Sequence, residues 1–166
     1  MPRRNTNQLN IDPLAKVKDS ALMYLGYRDR SVKEMRLKLN QKGYPEEIIE
    51  MVLGILTKAN LLNDERFAIA FSRSKIEGKS WGPEKIRSEL YTKGIEKELL
   101  ERVIRDIYEE YSQFDLVRKL LTKRLRYQDE LEQKDMKRHI DYLKRRGFRW
   151  DVIREVIAEY ENFNIE

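Results

Sequence analysis

The hydrophobic positions of this chain recur at helical spacing three times along its length. After each of three glycines, apolar residues occupy positions i, i+1, i+4 and i+5, which is the stripe of a helix buried along one face. A leucine lies four residues before each glycine, and we expect another helix to end at that glycine. The pattern predicts internal repeats in an all-α protein. The apolar columns are Ile48, Leu99 and Val152; Ile49, Leu100 and Ile153; Val52, Val103 and Val156; and Leu53, Ile104 and Ile157.

Gly43, Gly94 and Gly147 mark the turn of a helix hairpin in each repeat. Each follows a basic residue and precedes an apolar one. Glycine takes up the left-handed conformation just past a helix without steric cost, so each should end the preceding helix. N-caps are expected where the hairpins begin, at Ser31 (with Glu34 as a capping box), Gly82 (followed by Pro83) and Asp135.

A further helix precedes each hairpin, with Asp12, Asp64 and Asp115 as expected N-caps. The expected helices are 13–27, 32–42 and 46–59; 64–78, 83–93 and 96–110; and 115–127, 135–146 and 149–161. The expected fold class is all-α, an elongated, curved array of three tandem three-helix units. The expected divisions are a flexible N-terminal tail at 1–11 and repeats at 12–60, 61–111 and 112–166.

Charge is segregated within the repeats. The chain has 166 residues and a net charge of +5. Its second helices are net positive and its third helices net negative. The basic helices could face a phosphate backbone or an acidic protein surface. Equally, oppositely charged helices could pair with each other inside the array or simply be solvated.

Residues 78–83 read GKSWGP, and Gly-Lys-Ser is the tail of a phosphate-binding loop. The full loop requires a glycine where this chain has Arg73, and a buried strand where 64–77 has a helical period. We therefore interpret the segment as a joint, in which Gly78 closes one helix and Gly82 opens the next. Trp81, on the linker, either packs over the junction or offers its ring to a partner.

The composition offers little for catalysis. The chain has no cysteine and one histidine, His139, which we interpret as a surface or packing residue. No nucleophile–base pair or metal-binding cluster is visible, so we expect no enzyme activity and no cofactor. No apolar run approaches a membrane span and no secretory signal is evident, which predicts a cytoplasmic protein without membrane contact.

Residues 61–104 resemble the central part of the RecX family of recombinase regulators. The resemblance rests on Asp-Glu-Arg-Phe-Ala at 64–68, Gly-Lys-x-x-Gly-Pro at 78–83 and Ile-Arg-x-Glu-Leu-x-x-Lys-Gly-Ile at 86–95. Residues 21–43 match the first unit of such proteins, with an Arg-x-Arg-Ser-x-x-Glu run. The third repeat is more divergent.

The resemblance implies a non-enzymatic regulator that binds the filament of RecA recombinase on single-stranded DNA. Such proteins lodge in the filament groove and suppress filament growth, strand exchange and ATP hydrolysis. Some also bind single- or double-stranded DNA weakly, and we expect a monomer. The alternative is a direct DNA-binding protein built from helix-turn-helix-like units, although the second helices lack a repeated Asn/Gln set and the third helices are acidic.

The candidate partner-binding residues are basic side chains and one tryptophan in the first unit, around the central joint and in the third unit. They are Arg28, Arg30, Lys33, Arg36, Arg73, Lys75, Lys79, Trp81, Lys85, Arg87, Lys123, Arg124 and Arg126.

Overall fold

The computed structural model describes residues 12–125 and 133–163, and within them the secondary structure is entirely helical. The helices form three successive groups of three, as the hydrophobic pattern predicts. They are α1 (Pro13–Tyr27), α2 (Val32–Gln41) and α3 (Glu46–Lys58); α4 (Asp64–Lys79), α5 (Pro83–Thr92) and α6 (Lys97–Glu110); and α7 (Gln113–Leu125), α8 (Gln133–Arg145) and α9 (Trp150–Phe163). We call these groups repeats 1, 2 and 3. The predicted tail at 1–11 lies outside the described residues.

Helix starts agree with the prediction most closely in repeats 1 and 2. The Asp12 side chain accepts a hydrogen bond from the Leu14 N–H, and the Ser31 hydroxyl accepts one from the Glu34 N–H. Gly82 is the N-cap of α5 and Pro83 its first residue. These three predicted caps are confirmed.

Two predicted caps in repeat 3 are wrong. Asp115 is the third residue of α7, and its N–H donates to the hydroxyl of Ser112, which lies just before the helix. Asp135 is likewise the third residue of α8. A serine or an aspartate suits either the cap or the first turn, because both places favour oxygen acceptors near free N–H groups. The sequence pattern therefore placed both helix starts two residues too late.

The predicted glycine turns are confirmed in all three repeats. Gly43, Gly94 and Gly147 have φ angles of +78°, +79° and +93°. In each turn the N–H of the following apolar residue donates back to the leucine four residues before the glycine, as Phe148 does to Leu143 over 3.3 Å. That bond closes the last turn of the helix and aims the apolar side chain into the core.

The chain divides into two compact units, one ending at Asp64 and the other beginning at Glu65. The first unit contains repeat 1 and has its own apolar core. The Asp64 carboxylate accepts a hydrogen bond from the Val32 N–H at the start of α2 over 2.8 Å, so Asp64 stabilises this unit. Burial of Asp64 raises the pKa of its carboxyl group. The fully buried side chains of this core include Val17, Ala21, Met35, Leu39, Ile49, Val52 and Leu56.

The second unit contains repeats 2 and 3, which share one continuous core. Ile86 and Leu90 from α5, Leu143 from α8 and Ile153 from α9 are all completely buried in it. A three-helix repeat of this size buries little apolar surface alone, so a shared core stabilises both repeats. The all-α fold of three consecutive three-helix groups is confirmed, and the elongated, curved arrangement stays a prediction.

Candidate anion-binding groove in the second unit

The GKSWGP segment is a joint between α4 and α5, as predicted, but the helix ends later than expected. Helix α4 continues through Gly78 to Lys79, and Ser80 adopts the left-handed conformation with φ +48°. The Ser80 N–H still donates to the Ile76 carbonyl oxygen over 2.8 Å. The expectation that Gly78 closes the helix is therefore wrong, because serine takes the position that usually goes to glycine.

Gly82 brings the joint into direct backbone contact with the turn between α8 and α9. The Gly82 N–H donates to the Arg146 carbonyl oxygen over 2.7 Å, and the Glu84 N–H donates to the Gly147 carbonyl oxygen over 3.1 Å. These bonds satisfy N–H groups at the start of α5 that have no partner within their own helix. A Cβ at Gly82 would lie only 2.5 Å from the Gly147 oxygen, so the contact requires glycine.

Arg146 reinforces this contact from the repeat 3 side. Its guanidinium donates a hydrogen bond to the carbonyl oxygen of Lys79, and it lies 5.0 Å from the ring centre of Tyr142. The Lys85 ammonium lies 3.5 Å from the Arg145 carbonyl oxygen. The C-terminal end of α8 is thus bound to both helices that meet at the joint.

Trp81 packs in the core of the second unit, and three lysine ammonium groups lie close to its ring. Its exposed fraction is 9%, and its carbonyl oxygen accepts the Tyr108 hydroxyl over 2.6 Å. The ammonium groups of Lys75, Lys79 and Lys85 lie 5.5, 5.7 and 4.7 Å from the ring centre. Positive charge is favoured over the face of an indole, so the buried ring holds three lysines close together.

Two adjoining hollows lie beside this joint, and together we call them the basic groove. Their volumes are about 540 Å³ and about 440 Å³. Both are lined by Gly78, Lys79, Tyr142 and Arg146. The first hollow is also lined by Trp81, Lys85 and Arg145, and the second also by Glu77, Ser80, Lys119, Leu120, Lys123 and Arg124.

Arg124 links α7 to α8 at the edge of the groove. Its guanidinium lies 4.3 Å from the ring centre of Tyr142, and its Nε–H donates to Nδ1 of His139 over 3.1 Å. His139 is 3% exposed and occupies the repeat position of the buried Met35 and Ile86. The packing interpretation of this histidine is therefore confirmed. Burial, and then the positive charge of Arg124, lower the pKa of His139.

Other candidate cations form ion pairs with acidic side chains of their own unit. Arg36 pairs with Glu50 at 2.5 Å, and Arg87 pairs with Glu101 at 2.8 Å, at equivalent positions of repeats 1 and 2. Each hydrogen bond from arginine lowers the pKa of the glutamate that accepts it. Arg87 also contacts Glu84. The second and third helices thus pair their opposite charges at these positions, which was one of the two interpretations open from sequence.

The remaining candidates are distributed over both units. Arg28 pairs with Glu34 at 3.0 Å, and Arg30 lies 5.3 Å from the ring centre of Tyr24. Lys33 is exposed on α2. In the second unit Arg73 pairs with Glu110 at 2.9 Å. Arg126 lies outside the described residues.

Comparison with known proteins identifies the family. Models of the first, second and third three-helix domains of RecX match residues 18–55, 63–104 and 110–157. The chain belongs to the RecX family. A crystal structure of RecX from Lactobacillus salivarius has a TM-score of 0.80 and 27% sequence identity, and the match covers 90% of this chain and 97% of that one.

Curated relatives carry the name "Regulatory protein RecX". The protein from Pelodictyon phaeoclathratiforme is 34% identical over 138 residues, which are 82% of this chain and 84% of that protein. The protein from Lactococcus lactis subsp. cremoris strain SK11 is 36% identical over 147 residues, which are 87% of this chain but 55% of that protein. This RecX-family chain therefore spans about half the length of its lactococcal relatives.

Sequence reasoning missed the contribution of α8 to the basic groove. Arg145, Arg146 and Tyr142 line it, yet none was a candidate. The signal was present in the run Lys144-Arg145-Arg146-Gly147. Its position opposite GKSWGP depends on the contact between Gly82 and Gly147, which sequence does not reveal.

Membrane-spanning helices and metal-binding clusters are both absent from the described residues. No helix within 12–125 and 133–163 is both long and apolar enough to cross a bilayer. In those same ranges, no group of three or more His, Asp and Glu side chains is placed to hold a metal ion.

Proposed function

We propose that this chain binds the filament that RecA recombinase forms on single-stranded DNA, and that it inhibits filament growth, strand exchange and ATP hydrolysis. It acts as a monomer in the cytoplasm, by binding and without catalysis of its own. Membership of a family of regulatory proteins supports a regulatory role. The recombinase as partner follows from the resemblance of residues 61–104 to RecX proteins.

The observation that carries the proposal is the charge of the basic groove. Lys79, Lys85, Arg145 and Arg146 line it, and none of them forms an ion pair with a carboxylate of the described residues. Arg73 and Arg87, which lie close by in sequence, do form such pairs. Unneutralised cations at a fixed site attract an anionic partner and speed its association.

The ion pairs also separate the candidate residues into two groups. Arg36 and Arg87 are engaged with glutamates and contribute to each repeat's own structure. Lys79 and Lys85 contact an aromatic ring instead, which leaves their charge available. We propose that Lys75, Lys79, Lys85, Lys123 and Arg124 act as one surface with Arg145 and Arg146.

The proposal is tested by binding to RecA filaments assembled on single-stranded DNA with a non-hydrolysable ATP analogue. The variant Lys79→Glu/Lys85→Glu should bind much more weakly than wild type. The matched control is Lys97→Glu/Arg154→Glu, which makes the same charge change at exposed positions of α6 and α9. Arg87 is left unchanged, because its reversal would place a third carboxylate beside Glu84 and Glu101.

Two results would contradict the proposal in different ways. If the wild-type chain does not bind the filament, the proposed function is wrong. If the folded double variant binds as tightly as the control, the function can stand but the groove is not the binding surface.

The alternative function, direct readout of duplex DNA by helix-turn-helix-like units, has no structural observation in its favour. The third helices of repeats 1 and 2 present Glu50 and Glu101 to the arginines of the second helices. A helix that reads base edges needs donors such as Arg, Asn or Gln directed outwards, and phosphates repel carboxylates.

A further inference from the structure

Ion pairs join the first and third helices of repeat 2 along their exposed side. Glu65 of α4 pairs with Arg102 of α6 at 3.1 Å, and Arg73 pairs with Glu110 at 2.9 Å. Both pairs join residues 37 positions apart, so the two helices run parallel. Charged groups therefore cover the side of this helix pair that faces away from the core.

The third helix of repeat 1 is apolar at the positions that form these pairs elsewhere. When the repeats are aligned on their glycines, Met51 of α3 takes the place of Arg102. Ile55 takes the place of Glu159 in α9. Glu159 pairs with Arg118 of α7 at 2.7 Å. Repeat 1 thus has two apolar side chains where repeats 2 and 3 have ion-paired ones.

The first helix of repeat 1 shows the same replacement. The buried positions of α1 and α4 align its sequence with that of α4, pairing Val17 with Ala68 and Ala21 with Ser72. On this alignment, Leu14 takes the place of Glu65 and Leu22 takes the place of Arg73. Both sides of the α1–α3 pair have therefore lost the charges that cover the equivalent pair in repeat 2.

The result is an exposed apolar surface on the first unit, which we call the apolar edge. Helix α1 packs against α3, and side chains four positions apart lie on one face of a helix. Met51 is 57% exposed, Ile55 37% and Leu22 36%. Grouped apolar side chains that remain exposed mark interaction sites. The edge consists of Leu14, Lys18 and Leu22 of α1 and Met51, Gly54, Ile55 and Lys58 of α3.

Gly54 makes close approach to this edge possible. It lies within α3, where alanine is the better helix former. Apart from the adjacent residues and backbone of its own helix, a Cβ at Gly54 would meet no atom within 4 Å. The packing of the first unit therefore does not require glycine here, whereas the missing side chain leaves room for the backbone of a partner.

The charges of the apolar edge indicate the chemistry of its partner. Lys18 lies one turn from both Leu14 and Leu22, and Lys58 lies one turn after Gly54, whereas Glu47 borders only the beginning of the α3 side. Within residues 12–125 and 133–163, neither lysine forms an ion pair with a carboxylate. An apolar strip with lysines beside it suits an amphipathic helix that has carboxylates next to its apolar face.

We propose that the apolar edge binds an amphipathic helix of the recombinase, with carboxylates of that helix facing Lys18 and Lys58. This inference rests on the proposed function and deepens it, because it gives the chain a second contact with the same partner, of a different chemistry from the basic groove. The edge from Leu14 to Leu22 is about 12 Å long at 1.5 Å per residue, which matches about two turns of a partner helix.

The test measures binding of the labelled chain to RecA filaments, assembled on single-stranded DNA with a non-hydrolysable ATP analogue, at several salt concentrations. Met51→Ser/Ile55→Ser should bind about tenfold more weakly than wild type at every salt concentration, because salt does not screen apolar burial. The groove variant Lys79→Glu/Lys85→Glu should instead lose progressively less affinity as the salt concentration rises.

The matched control is Tyr27→Ser/Leu37→Ser, which removes apolar side chains that are 77% and 51% exposed on other faces of the first unit. It should bind as wild type does. Circular dichroism should show the same helix content in both variants, since all four side chains are partly exposed. Equal affinity of the edge variant and this control would overturn the proposal, and so would a loss that disappears at high salt.

Charge reversal tests the acidic character of the partner helix. Lys18→Glu/Lys58→Glu should weaken binding several-fold at low salt and less at high salt, because it places carboxylates opposite carboxylates. Lys16→Glu/Lys38→Glu makes the same charge change at exposed positions of α1 and α2 outside the edge, and it should have little effect. Equal binding by these two variants would overturn the acidic partner helix.

Failure of this inference is distinguishable from failure of the proposed function. If wild type binds the filament and Met51→Ser/Ile55→Ser binds as tightly, the proposed function stands and the apolar edge is not a binding surface. If wild type does not bind the filament at any salt concentration, the proposed function is wrong, and the recombinase is not the partner of the edge.

Discussion

The glycine pair that joins repeats 2 and 3 gives the sharpest prediction on stability. In Gly82→Ala, the new Cβ would lie 2.5 Å from the Gly147 oxygen, 2.6 Å from its carbonyl carbon and 2.8 Å from the Phe148 nitrogen. All three are backbone atoms, so no side chain can rotate away. The start of α5 and the α8–α9 turn would have to separate by roughly 1 Å to restore ordinary contact distances.

The expected magnitude follows from two contributions. Overpacking of a well-packed site costs about 1–3 kcal/mol. Separation would also weaken the two backbone hydrogen bonds across the contact, each of which contributes about 0.5–1.5 kcal/mol. We expect Gly82→Ala to lower the free energy of unfolding of the second unit by about 3 kcal/mol. The φ angle of Gly82 is −87°, so backbone strain contributes nothing.

Gly78→Ala is the matched control, four residues away in the same segment. Gly78 lies within α4, and apart from the adjacent residues and backbone of its own helix a Cβ there would meet no atom within 4 Å. Alanine is the better helix former, so this variant should be stabilised by about 0.4–1 kcal/mol. Gly147→Ala should be destabilised more than Gly82→Ala, because its φ is +93° and its Cβ would lie 2.5 Å from that of Lys85.

The assay is urea unfolding followed by tryptophan fluorescence. The two tryptophans, Trp81 and Trp150, both belong to the second unit, so fluorescence reports on it alone. The variants should be ranked Gly78→Ala, wild type, Gly82→Ala and Gly147→Ala in decreasing stability. Stability of Gly82→Ala equal to that of Gly78→Ala would refute the close contact.

Three further predictions concern two single side chains and one ion pair. Stability of the second unit should fall as the pH drops below about 6.5, because burial lowers the pKa of His139 in the folded state and the unfolded chain takes up the proton first. Urea unfolding at several pH values should show that the stability of His139→Met depends less on pH than that of wild type. Asp64→Ala should destabilise the first unit by about 1 kcal/mol, because it removes the acceptor for the first N–H of α2. Asp64→Asn should lose less stability, and circular dichroism in urea measures both variants. A double-mutant cycle on the exposed pair Arg87 and Glu101 should give a coupling energy of about 0.2–1 kcal/mol that decreases with added salt.

Each of these predictions has a result that would contradict it. The same pH dependence in His139→Met and wild type would show that another group controls acid stability. Equal losses of stability in Asp64→Ala and Asp64→Asn would mean that the charge matters and the hydrogen bond does not. A salt-independent coupling between Arg87 and Glu101 would show that they interact through packing instead of charge.

Most of the helical architecture could be predicted from the sequence, because its signals are local. The 3.6-residue period, the glycine turns and the caps at Asp12, Ser31 and Gly82 depend on residues a few positions apart. The starts of α7 and α8 were each misplaced by two residues; at α7, for example, Ser112 and Asp115 both suit the beginning of the helix. The end of α4 was misplaced because Ser80 adopts a conformation that usually belongs to glycine.

The candidate site was less predictable, because its assembly depends on contacts between distant residues. Charge alone could not separate Arg87, which pairs with Glu101 14 residues later, from Lys85, whose ammonium lies over Trp81. Charge alone also could not predict that Arg145 and Arg146 lie beside the GKSWGP joint. These placements follow from the shared core of repeats 2 and 3 and from the backbone contact of two glycines.

The decisive measurement for the proposed function is the DNA-dependent ATPase activity of RecA with this chain titrated in. We predict that wild type inhibits the activity in a dose-dependent manner, that Lys79→Glu/Lys85→Glu inhibits only at much higher concentration, and that Lys97→Glu/Arg154→Glu inhibits as wild type does. An ATPase rate that does not change at any concentration of the folded wild-type chain would contradict the account.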